Sequence, residues 1–122
     1  MTIAAALQSF YSSFGLPAYE ENSVPDDATF PYVTYDVVTD GWGGNQVSLT
    51  ASLWYKTDSW VAINAKSEEI RTALKFGGKI LPCDAGAIWI MTGTPYAQNM
   101  VDPSDDTVKR KYINFIAEYF TL

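Results

Sequence analysis

The sequence predicts an α+β domain: a mainly antiparallel sheet flanked by two helices, in the order helix, hairpin, helix, strands. Three observations predict it. Two segments repeat apolar residues at helical spacing, one near the N-terminus and one near the middle. Other segments alternate apolar with polar residues, the period of a strand covered on one face. The helical segments do not alternate one-for-one with the strands, as a parallel α/β sheet would require. At 122 residues the chain has room for one domain, 1–122, and no second core.

The first helix is expected over about 3–14. Thr2 is its N-cap, and Ile3, Leu7, Phe10 or Tyr11, and Phe14 fall on one stripe. Gly15 and then Pro17 stop it. Residues 15–29 contain Pro17, Pro25 and many polar side chains and read as a connection. Phe30 to Val38 reads as a strand with Val33, Tyr35 and Val37 on one face and Thr34 and Asp36 on the other. Pro31 cannot donate a ladder hydrogen bond, which places it at the strand's start or on an edge.

Asp40 to Asn45 reads as a turn, with Gly41, Gly43 and Gly44 free to take positive φ. After it, Val47, Leu49, Ala51, Leu53 and Tyr55 share one strand face, and Ser48, Thr50, Ser52, Trp54 and Lys56 share the other. The two strands form an antiparallel hairpin. Asp58 or Ser59 caps a second helix over about 60–76, with Ile63, Ile70 and Leu74 as its buried stripe and Gly77-Gly78 as its stop. Ile80-Leu81-Pro82 is a short lead into a strand at about 87–92. Pro95 to Thr107 reads as irregular. A long strand follows, Val108 to about Thr121, with Ile113, Phe115, Ala117 and Tyr119 on one face.

Composition excludes several function classes. There is no histidine, which removes Ser-His, Cys-His and histidine-metal chemistry. The single cysteine, Cys83, has no imidazole to activate it and no partner for an internal disulfide. Asp102, Asp105 and Asp106 lack the spacing of a calcium loop and read as a solvated loop, as do Asp26 and Asp27. The expectation is therefore no catalytic residue, no metal and no cofactor. A net charge of −6 is a poor match for nucleic-acid phosphates. No apolar run is long enough for a membrane span, and the N-terminus has no basic, apolar leader pattern. A chain made and folded in a cytoplasm is the expectation.

Aromatic residues point to docking. The chain carries 4 Trp, 8 Tyr and 6 Phe, more than one small core needs, and Trp and Tyr are enriched at interfaces. The candidate interface residues are Trp42 in the glycine-rich turn, Tyr96 and Met100 in the irregular stretch, and the basic run Lys109, Arg110 and Lys111. Trp42 can instead fold back on the sheet. Trp54, on the polar face of its strand, poses the same question: it is either covered by a helix or offered to a partner.

Three stretches carry a family resemblance: the first helix with Gly15-Leu16-Pro17-Ala18-Tyr19; Val24-Pro25 with Phe30-Pro31-Tyr32-Val33-Thr34-Tyr35; and Asp105 to Phe115. With the order of elements, these resemble the tail-terminator and tail-completion proteins of long-tailed bacteriophages, often labelled minor tail or minor capsid proteins. The resemblance implies a protein that forms a ring with itself, six-membered, on the head-proximal end of the tail tube. Its implied partners are the tail tube protein and the head connector or stopper. DNA would pass through the ring without specific binding, and no membrane is involved. The implied place is the virion, in the tail or neck. Another head-tail joining component and a general interaction module are the alternatives.

Overall fold

The computed structural model describes residues 1–84 and 86–121. Its elements are α1 (Ile3–Ser12), β1 (Ala18–Glu20), β2 (Tyr32–Tyr35), β3 (Gly43–Lys56), α2 (Val61–Ala73), β4 (Lys79–Cys83), β5 (Gly86–Val101) and β6 (Val108–Phe120). The strands form one sheet in the order β1-β2-β3-β6-β5-β4. β1 runs parallel to β2, and the other four neighbouring pairs are antiparallel.

The fold is α+β. The sheet is mixed, which corrects the expected mainly antiparallel sheet, and the element order differs by two strands. β1 is only three residues long and follows Pro17, too short for any alternation to show. The chain then crosses back through residues 21–31 before β2, so β1 and β2 run the same way. β4 was masked by Pro82, which an edge strand tolerates because one side of its backbone faces outward. The stretch from Pro95 to Thr107 is also more regular than expected. β5 loses register after Thr92, around a cis Thr94–Pro95 bond, and resumes pairing at Ala97 opposite Ile113.

Local chemistry sets the helix starts. The Thr2 hydroxyl accepts the Ala5 N–H at 3.1 Å. Trp60 occupies the cap position of α2 without a side-chain bond, while Ser59 Oγ accepts the Val61 N–H at 3.1 Å. Both helices lie on one face of the sheet. Phe10 and Tyr11 of α1 meet Phe115 of β6 with ring centroids 5.8 and 5.9 Å apart. On the α2 side, the Tyr96 hydroxyl donates to the Ser67 carbonyl at 2.8 Å. The predicted in-facing residues Leu49, Ala51, Leu53, Ile113, Phe115, Ala117 and Tyr119 are buried in this layer. The core thus sits between the two helices and one sheet face, and among the described residues the opposite face carries no helix.

Candidate functional site

β6 alternates, so the basic run is split between the two faces of the sheet. Lys109 and Lys111 share the helix face with Ile113. The Lys109 ammonium donates to the Asp106 carbonyl and lies 5.8 Å from the centroid of the Trp60 ring. The Lys111 ammonium donates to Asn64 Oδ1 and Asn99 Oδ1, each at 2.8 Å. Both lysines are thereby tied into the junction between α2 and the end of the sheet.

Arg110 points to the open face. Its Nε–H donates to Ser52 Oγ at 2.9 Å, and Ser52 is fully buried beneath it. The guanidinium lies 4.8 Å from the Trp54 ring centroid and 5.5 Å from that of Tyr112. Cation–π contact and planar stacking both favour this placement. Trp54 is fixed in turn. Its indole N–H donates to Thr34 Oγ1 at 2.9 Å, and Tyr32 stacks on it at 6.4 Å with planes 24° apart. Tyr19 meets Tyr32 edge-on at 5.9 Å. The result is a row of aromatic rings across β1, β2, β3 and β6 with one cation in it. Among the described residues no helix covers Trp54, which corrects the expected helix cover: both helices lie on the other face.

Two clefts flank Arg110. One, of about 210 Å³, is lined by Trp54, Met100, Val101, Asp102, Pro103 and Val108. The other, of about 300 Å³, is lined by Glu21, Asn22, Val24, Tyr32, Thr34 and Trp54. Met100 pairs with Arg110 across the ladder, so this candidate does sit beside the cation.

Trp42 and Tyr96 face the other way. Trp42 folds back on the helix side of the sheet end, edge-on to Tyr119 at 6.5 Å. It lies over Gly86, where a Cβ would come within 2.6 Å of its ring. Tyr96 packs against Phe115 at 6.4 Å and bonds Ser67, and burial pushes its hydroxyl up to about 12. Of the six candidates, then, the structure brings Arg110 and Met100 together on the open face. It places Trp42, Tyr96, Lys109 and Lys111 on the helix side.

The acidic loop spends its carboxylates on its own turn. Asp102 Oδ1 accepts from Ser104 N–H at 2.9 Å, and Asp105 Oδ1 from Thr107 N–H at 2.9 Å. These bonds hold both carboxyls below the usual range. Among the described residues no group of three or more Cys, Asp or Glu side chains is arranged to hold a metal. Among the described residues no helix is long and apolar enough to cross a membrane.

The aromatic partners of Arg110 were missed as a group. The signal was present: Trp54 and Arg110 both fall out of phase with the apolar residues of their strands. Only the pairing of β3 with β6, which sets Trp54 opposite Arg110, makes them one site.

The chain matches no known family pattern and no curated protein sequence. Its fold is similar to that of a chain in the virion of a native gene transfer agent particle. That match has a TM-score of 0.66 and 16% identity, and covers 96% of each chain. A second solved structure, of a protein without a descriptive name, matches with a TM-score of 0.61 and 12% identity. It covers 98% of this chain and 95% of that one. At these identities the likeness establishes the fold.

Proposed function

We propose that this chain is a structural component of a phage-like particle that works by docking, as a ring at the head-proximal end of the tail tube. The observation that carries the reading is the full-length likeness to a chain of a gene transfer agent virion. Two further features support it. The sequence stretches named above resemble tail-terminator proteins. The open sheet face presents a fixed row of aromatic side chains around Arg110, the residue types that dominate protein interfaces.

A terminator must match the exposed face of the last tube ring on one side and present a different surface on the other. A heterologous contact between identical subunits closes into a ring when its rotation permits. In this reading the partners are further copies of the chain, the tail tube protein and the head connector. The place is the virion neck or tail, after synthesis in the host cytoplasm. The chain does no catalysis. Its net charge of −6 suits the wall of a channel through which DNA slides, because like charge keeps phosphates from sticking.

The test is to delete the gene in its phage and image the products. Filled heads without joined tails, and tail tubes of abnormal and often excessive length, are expected. Tails of normal length that merely fail to join heads would assign the chain to a joining role in the neck. Normal infectious particles would reject the assembly reading.

A further inference from the structure

We propose that the cleft beside Arg110 is a receptor for a single carboxylate, an aspartate or glutamate side chain presented by an adjoining protein of the particle other than a copy of this chain. This deepens the docking reading and rests on it for the identity of the partner.

The chain has two arginines. Arg71 is paired with Glu68 at 2.7 Å. Arg110 forms no ion pair among the described residues, although Glu21 and Asp102 line the clefts on either side of it. Its Nε–H is held by Ser52, which fixes the plane of the guanidinium between Trp54 and Tyr112. The two terminal nitrogens make no hydrogen bond within the described residues. Guanidinium N–H groups set side by side in this way match the two oxygens of one carboxylate. The arrangement is also held in advance: Trp54 is locked by Thr34 and stacked by Tyr32, so little side-chain freedom is lost on binding.

Charge decides the class of ligand. A nucleic-acid strand needs several cations along its backbone. Here the neighbouring lysines are on the other face of the sheet and already bonded, Lys109 to Asp106 and Lys111 to Asn64 and Asn99. One free guanidinium in a chain of net charge −6 complements one carboxylate, not a polyanion. The flanking apolar groups, Met100 and Val108 on one side and Tyr32 and Val24 on the other, suit the chain that carries the carboxylate.

The experiment is an NMR titration of the ¹⁵N-labelled full chain with a capped pentapeptide bearing one central glutamate. The same peptide with glutamine is the control. The readouts are the Arg110 Nε–H and Trp54 indole N–H signals. The glutamate peptide is expected to move both, saturably, with a Kd on the order of 1 mM, the scale of a single small contact. The glutamine peptide should bind at least tenfold more weakly. R110Q should abolish the response, and R110K should weaken it, with backbone spectra otherwise like those of the unmodified chain. Equal responses to the two peptides, or none, would overturn the proposal. So would a response to oligothymidylate alone, which would mark a nucleic-acid site. Broadening of these two signals with protein concentration, without peptide, would give the face to a second copy instead. The titration needs no particle, so its failure is separate from the result of the gene deletion.

Discussion

Replacing Phe115 with alanine is expected to remove a large share of the domain's folding stability. Phe115 is fully buried, and its ring meets Phe10 and Tyr11 of α1 and Tyr96 of β5, with centroids 5.8, 5.9 and 6.4 Å away. It is thus the point where α1 and the irregular part of β5 both rest on β6. Truncating a buried phenylalanine costs about 3–5 kcal/mol, from lost transfer energy and the cavity left behind. Domains of this size have about 5–15 kcal/mol in all. A urea titration measures the effect as a lower midpoint. A loss under about 1 kcal/mol would mean that α1 does not pack on β6 as described.

The second large effect is expected at the turn from α2 into β4, and it distinguishes two adjacent glycines. Gly77 and Gly78 have φ of +80° and +81°. Any L side chain there costs about 1–2 kcal/mol in backbone strain. A Cβ on Gly77 meets nothing within 4 Å. A Cβ on Gly78 would overlap the Ile90 carbonyl oxygen and lie 2.9 Å from Met91 Cγ. Gly78 therefore sits where the turn presses on β5, and moving that strand adds about 1–3 kcal/mol of overpacking. G78A is expected to be the more destabilising by that difference in thermal melts. Equal losses for G77A and G78A would show that the turn does not approach β5 so closely.

The long-period features of this fold were legible in the sequence because their physics is local and repeated. The stripe Leu7, Phe10, Tyr11 and the alternation Leu49, Ala51, Leu53 each declare a buried face, and each is buried. The short and interrupted strands were not legible. Three residues of β1 carry no period, and Pro82 and Pro95 argued locally against strands that the sheet nonetheless accommodates, one at an edge and one at a break in register. The surface around Arg110 was half legible. Sequence singled out Arg110 and Met100, yet grouped Arg110 with Lys109 and Lys111 because they are adjacent in the chain. Alternation along β6 sends the arginine to one face and the lysines to the other. Trp42 was offered as an anchor because of its glycine-rich surroundings. Of those glycines only Gly44 has a positive φ, and the Trp42 ring folds back over Gly86 and Tyr119.

In the proposed function this chain docks within a particle as a ring on the tail. Electron cryo-microscopy of intact particles tests it most directly. Density fitting this fold is expected in a closed ring of copies at the head-proximal end of the tail tube, with the Arg110 face against a different protein of the particle. Particles whose neck and tail are fully accounted for by other chains, with this one absent or present as an isolated copy, would contradict it.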